Sequence, residues 1–222
     1  TMTRQIEFLD WGLTEYADAW KRQEDLFQLL LQNKKNADFN THYVVFCQHF
    51  PVYTLGKNGH EENLLLNRLQ LQNCGASFFR TNRGGDITFH GPGQVVGYFI
   101  FDLEKLQLGL KVFIFKLEEV IIRLLEHYGL KGTRLPGGTG VWLDAETPRA
   151  RKICAIGLRS SHFVTMHGFA LNVNTDLNYF NYIHPCGFVD KGVTSLQKEL
   201  FQTVEEEEVK NLLKKQIEKE FL

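Results

Sequence analysis

Helix-forming segments bracket a middle written in short β-branched and aromatic runs, and that arrangement constrains the fold more than any other feature of the chain. Residues 15–33 place Ala17, Trp20, Phe27, Leu30 and Leu31 near one face, with Thr14 just ahead of them. Residues 111–128 repeat Ile114, Leu117, Ile121, Leu124 and Tyr128 at spacings of 3, 4, 3 and 4, and Gly129 stands where a left-handed cap is expected. A third helix is predicted near the carboxyl end, with Thr203 as N-cap. Four glutamates occupy its first turn, where the macrodipole favours acid, and Val209, Leu212, Leu213, Ile217 and Phe221 form its apolar stripe. Between the helices, strands are predicted at 43–47, 77–80, 95–103, 141–143, 152–158, 162–166 and 169–174. This order predicts the α+β class. No linker, internal repeat or charge block interrupts it, so a single domain spanning residues 1–222 is expected.

Charge and cysteine content narrow the function classes. A net charge of -1 leaves no electrostatic footprint for nucleic acid. No apolar run approaches the ~20 residues that span a membrane, and the first residues lack the pattern of a secretory leader. Four cysteines, Cys47, Cys74, Cys154 and Cys186, are scattered without a CxxC pair. Reduced thiols in the cytoplasm are therefore expected, with neither a disulfide framework nor a thiol-based metal site.

Two segments carry candidate chemistry. Arg83-Gly84-Gly85-Asp86-Ile87-Thr88-Phe89-His90-Gly91-Pro92-Gly93-Gln94 packs four glycines and a proline around charged and aromatic residues. Such a run needs unusual backbone angles or close approach to a ligand, although a turn and rigid hairpin would also use it. Its spacing fits neither the phosphate-binding nor the dinucleotide-binding glycine pattern. The second segment is Ile183-His184-Pro185-Cys186-Gly187, where proline and glycine frame a thiol at a turn. A nucleophilic cysteine needs a base or cation to hold it as thiolate. His90, His167, His184 and Lys152 are all available, and spacing alone does not choose among them.

These segments, with three others, resemble the lipoyl (octanoyl) transferases of lipoate biosynthesis. The others are Gln48-His49-Phe50-Pro51-Val52-Tyr53-Thr54-Leu55-Gly56, Arg151-Lys152-Ile153-Cys154-Ala155-Ile156-Gly157-Leu158-Arg159 and His167-Gly168-Phe169-Ala170-Leu171-Asn172-Val173-Asn174. All five fall in the family's order and cover most of the chain from about residue 48 to 190. Asn82, Phe89 and His184 depart from the residues common there, which are Asp, Tyr and Asn.

The resemblance implies a mixed β-sheet with helices packed on one side, like the catalytic domain of the biotin and lipoate protein ligases. It implies transfer of an octanoyl group from octanoyl-acyl carrier protein to the lysine of a lipoyl domain. Such domains occur in the 2-oxoacid dehydrogenases and the glycine cleavage H protein. Cys186 would be the acyl-accepting nucleophile and Lys152 the group that keeps it deprotonated. Arg83, Gly84, Gly85, Asp86, Ile87, Thr88, Phe89 and His90 would line the substrate site, together with Ala155, Ile156, Gly157, Gly168, Phe169 and Ala170. No cofactor and no metal is expected, and His90 and His167 read as hydrogen-bonding groups of the site. A monomer is the expected state. Two rivals share the fold: an ATP-dependent lipoate or biotin protein ligase, which needs no nucleophilic cysteine, and a non-catalytic module that binds acylated protein.

Overall fold

Alternation along one strand explains how both faces of the main sheet come to be covered. A computed structural model describes residues 3–184 and 191–222 of the chain. In β2 (Thr41–His49), Val44 and Phe46 point to one face, and Tyr43, Val45 and Cys47 to the other. On the first face lie α4 (Leu110–His127) and α6 (Glu206–Phe221). Phe113 and Phe221 meet there with ring centroids 5.4 Å apart, over Phe99 and Phe101 from the sheet. On the opposite face α1 (Tyr16–Gln32) lays Ala19, Phe27 and Leu30 against Tyr43, Val45, Ile100 and Val164. The mixed sheet with helices is thus as expected; α4 and α6 share one side, and α1 adds a helix on the other.

The sheet order is β1-β2-β6-β9-β8-β10, formed by β1 (Gln5–Thr14), β2, β6 (Gln94–Ile100), β9 (Val164–Asn172), β8 (Arg151–Ser161) and β10 (Gly192–Val193), with β7 (Val141–Leu143) also paired to β8. The β1–β2 and β8–β10 pairs are parallel and the remaining pairs antiparallel. A smaller sheet runs β4-β3-β5, from β4 (Ser77–Arg80), β3 (Val52–Leu55) and β5 (Ile87–His90). It has its own core of Tyr53, Leu55, Ile87, Phe89 and Ile183. Two short helices, α2 (Arg68–Asn73) and α3 (Leu103–Leu106), and a third, α5 (Leu196–Leu200), complete the α-helices among the described residues, and 3-10 turns lie at Glu61–Asn63 and Leu177–Tyr182.

Several boundaries differ from the sequence expectation. The strands predicted at 162–166 and 169–174 are one strand, β9, joined to β8 by a two-residue turn. His162 (φ 51°) and Phe163 (φ 63°) both take left-handed angles there, without the Asn-Gly or Asp-Gly signature that normally marks such a turn. The N-cap of α6 is Glu205 rather than Thr203, because Asn174 clasps the preceding residue: its Oδ1 accepts from Val204 N and its Nδ2 donates to Val204 O. No sequence expectation covered β1, which pairs with β2 across the α1 crossover and carries a bulge at Gly12 (φ 64°). Among the described residues no helix is long and apolar enough to cross a membrane.

Candidate functional site

The small sheet folds over the α1 side of the main sheet, and a cavity of about 420 Å³ lies between them. Val96 and Tyr98 of β6, residues 168–170 of β9 and residues 155–157 of β8 contribute to its walls. Leu110 and Ile114 of α4 and residues 137–139 also line it. The volume lies in the range of sites that take small organic groups.

The glycine segment reaches the cavity because it lies directly on β8. Gly84 N donates to Leu158 O at 2.7 Å. A Cβ added at Gly157 would sit 2.7 Å from Gly84 O, and one at Gly56 would sit 1.8 Å from Gly85 O. Backbone meets backbone at both places, which no larger residue allows. Arg83, 7% exposed, fixes the loop from inside. Its Nη2 donates to Thr54 O and Asp86 O, its Nη1 to Gly84 O, and its Nε to Thr54 Oγ1. Asp86 does similar work: Oδ1 accepts from His60 N and Ile87 N, and Oδ2 from Asn63 Nδ2.

The strand that follows splits its side chains by alternation. Thr88 and His90 line the cavity. Phe89 does not: it is buried in the small core, stacked on Tyr179 at 4.5 Å with an interplanar angle of 6°. Its neighbours there are all apolar or aromatic, so Phe89 belongs to the roof that holds β5 in place rather than to the wall of the cavity. The other predicted site residues of the glycine segment, Arg83, Gly84, Gly85, Asp86, Ile87, Thr88 and His90, all line the cavity, as do Ala155, Ile156, Gly157, Gly168, Phe169 and Ala170.

Lys152 lies on β8 between Trp142 of β7 and Val193 of β10. Its Nζ sits 4.9 Å from the centre of the Trp142 ring, and the residue lines the same cavity. Cys186 lies outside the described residues. Burial pushes the Cys47 and Cys154 thiols well above the ordinary thiol range, which makes them poor nucleophiles; Cys74 is half-buried and donates to Leu71 O.

Two of the candidate histidines face the cavity. His90 Nδ1 is 2.8 Å from Gln94 Oε1, and burial lowers its pKa to about 3. His167 takes a left-handed backbone angle (φ 64°) within β9, its N–H bonded to Gln23 Oε1, and its Nε2 meets Asn82 Oδ1 at 2.7 Å. Its pKa is likewise lowered to about 3 by burial. His184 is not part of the cavity wall; its backbone N–H bonds to Asn63 O. Sequence reading passed over Tyr16, Gln94, Tyr98, Trp142 and Asn172, which also line the cavity. Gln94 and Asn172 stand inside the motif segments and were findable there; Tyr16 comes from α1, far away along the chain. Among the described residues no group of three or more His, Cys, Asp or Glu side chains could hold a metal ion.

Residues 15–218 match the family model of the lipoyl protein ligase A/B catalytic domain. The chain belongs to the lipoyl protein ligase A/B family. Within that family it is 54% identical over 208 residues to an octanoyltransferase of Bacteroides fragilis, covering 94% of each chain. It is 58% identical over 196 residues to an octanoyltransferase of Parabacteroides distasonis, covering 88% of this chain and 89% of the relative. Similarity at this level supports an acyltransferase that moves octanoyl groups. The fold is shared with a bipartite lipoate protein ligase of Thermoplasma acidophilum (TM-score 0.72, 14% identity, 98% of this chain and 84% of the other). It is shared also with a lipoate-protein ligase A bound with ATP (TM-score 0.70, 14% identity, 99% and 85%).

Proposed function

We propose that this chain moves an octanoyl group from octanoyl-acyl carrier protein to the lysine of a lipoyl domain through a thioester on Cys186, with Lys152 as its proton-transfer partner. The observation that carries the reading is convergence: three sequence segments that resemble the octanoyltransferases, far apart along the chain, line one cavity together with Lys152. The relatives named octanoyltransferase agree with it.

The chemistry suits these residue types. In the first half-reaction the Cys186 sulfur bonds to the acyl carbon, the carrier's carbon–sulfur bond breaks, and the carrier leaves as a thiol that takes the proton. One thioester replaces another, so the exchange is close to isoenergetic and mainly needs a thiolate. An ammonium nearby favours that thiolate by Coulomb attraction. In the second half-reaction the lysine nitrogen bonds to the acyl carbon, the Cys186 sulfur leaves, and Lys152 as a neutral amine takes the excess proton from nitrogen. The apolar part of the cavity would take the tail, at about 0.8 kcal/mol per buried CH₂. The free thiols at Cys47, Cys74 and Cys154 suit a reducing compartment such as the cytoplasm.

Mixing the protein with octanoyl-carrier protein tests this by intact mass. A hydroxylamine-sensitive octanoyl adduct is expected on the native chain, none on Cys186→Ala, and a slower, pH-shifted one on Lys152→Ala. ATP–pyrophosphate exchange with free octanoate, in the absence of any adduct, would overturn the reading in favour of a ligase.

A further inference from the structure

A buried run of side-chain amides beside His90 has only one consistent assignment of donors and acceptors. Thr194 O is an acceptor, so the Asn172 atom 3.1 Å from it must be the Nδ2 donor, and Asn172 Oδ1 then accepts. Gln94 Nε2 donates to that oxygen at 3.0 Å and to Phe89 O at 3.0 Å. Gln94 therefore turns Oε1 toward His90 and can only accept there, at 2.8 Å from Nδ1. The proton of a neutral His90 must sit on Nδ1, which leaves a lone pair on Nε2. Backbone carbonyls pin the relay at Asn172, through Thr194 O, and at Gln94, through Phe89 O, and its members are nearly shut off from solvent: Gln94 is 1%, Asn172 5% and His90 7% exposed. The relay also reaches the lysine, because Thr194 N donates to Lys152 O.

Among the described residues Nδ1 is the ring nitrogen of His90 that has a hydrogen-bond partner. The residue lines the cavity, so Nε2 is the atom it offers there. A fixed lone pair is poorly matched to the oxygen of an acyl thioester, which is itself an acceptor. It is well matched to a nucleophile that arrives carrying N–H bonds. Resting on the acyl-transfer reading above, we propose that His90 Nε2 accepts a hydrogen bond from the attacking lysine amine, and that Gln94 and Asn172 are positioning residues that set its tautomer. His90 then orients the amine and takes no proton; the proton released on nitrogen still goes to Lys152. Burial keeps the ring neutral at working pH, so the lone pair is available throughout.

The test separates the two half-reactions. The loading rate from octanoyl-carrier protein is followed by intact mass, and octanoyl-loaded protein is then chased with a lipoyl domain in single-turnover mode. In His90→Asn the side-chain amide can still donate to Gln94, but nothing reaches the Nε2 position. The ratio of transfer rate to loading rate is expected to fall about tenfold, the size of one neutral hydrogen bond. His90→Gln, which restores an oxygen near Nε2, should recover most of that ratio. Equal losses in both half-reactions, or no change in either, overturn the proposal. Nitrogen-15 NMR of histidine-labelled native protein reads the tautomer without any substitution. The expected pattern is protonated Nδ1 and unprotonated Nε2, changing to a mixture in Gln94→Leu; a proton on Nε2 in the native protein overturns the relay. Native protein that never loads the acyl group overturns the acyl-transfer reading and the assignment of an amine to Nε2, while the tautomer measurement still decides the relay.

Discussion

The guanidinium of Arg83 is turned inward onto Thr54 O, Gly84 O and Asp86 O, so its work is to hold the glycine loop against β8. A lysine at this position has one point of donation instead of a planar fork and would leave at least one of those carbonyls unpaired. Arg83→Lys is therefore expected to lower stability by about 2–4 kcal/mol, given roughly 1–3 kcal/mol for each buried group left without a partner. Urea unfolding would read this, and a loss below about 0.5 kcal/mol would contradict the strut role. Gly157→Ala attacks the same contact from the other side. The new methyl would meet backbone, Gly84 O at 2.7 Å, and backbone cannot swing aside as a side chain does. A cost of about 1–3 kcal/mol is expected, together with slower acyl loading, because the displaced loop carries Thr88 and His90 into the cavity wall.

At the scale of elements, the β8–β9 hairpin is held by a turn that its own residues do not favour. His162 and Phe163 both occupy left-handed angles, where a side chain costs energy that Asn or Gly avoids. Phe163 is 59% exposed, so its ring contributes little packing, and its carbonyl, which accepts from Leu103 N, survives any substitution. The double change His162→Asn with Phe163→Gly should raise stability by about 0.5–1.5 kcal/mol, seen as a higher midpoint in thermal unfolding with acyl loading unaltered. The same turn shows where legibility of the fold stopped. A helix such as α4 announces itself through a 3-4 spacing that its own residues carry, and Gly129 takes the left-handed angle expected after it (φ 74°). The turn at 162–163 is imposed by the pairing of Ser161 with Val164, a tertiary fact that local residue preference contradicts. β1 is a similar case: an edge strand with half its side chains in solvent, stabilised by a parallel partner that lies beyond α1. The site divides the same way. Its floor and loop lie in contiguous motifs, whereas the cavity's Tyr16 and Trp142 come from elements whose sequence gives no sign of where they pack. The splitting of β5 into His90 inward and Phe89 outward follows from strand alternation, which shows once residues 87–90 are known to be a strand.

For the molecule as a whole, four neutral imidazoles are sealed into the fold, two of them, His49 and His90, edge to face with ring centroids 5.8 Å apart. His42 and His49 are fully buried, with pKa values lowered to about 4 by burial, and His90 and His167 are lowered further, to about 3. In the unfolded chain each has an ordinary value near 6.5 and binds a proton as the solution turns acid. Between about pH 6 and pH 4 the unfolded state therefore holds up to four more protons than the folded one. Stability rises with pH wherever the unfolded state binds more protons, so it falls on acidification through this window. Each histidine contributes about 1.4 kcal/mol per pH unit, and the four together about 5 kcal/mol per pH unit. Against a total of about 5–15 kcal/mol for a domain, one to three units of acidification is enough to unfold the chain. Paired carboxylates add to the loss only at the acid end of that window. Arg151 beside Glu199 holds that carboxyl below its usual range, so its share is lost only as pH falls below the ordinary glutamate value. The expected result is cooperative unfolding between about pH 5 and pH 4, followed by tryptophan fluorescence and far-ultraviolet circular dichroism. Calorimetry in buffers of different ionisation heat should count roughly three to four protons taken up per molecule at the transition. A chain that stays folded at pH 3.5, or unfolds with uptake of a single proton, would show that these imidazoles are not held neutral by the fold.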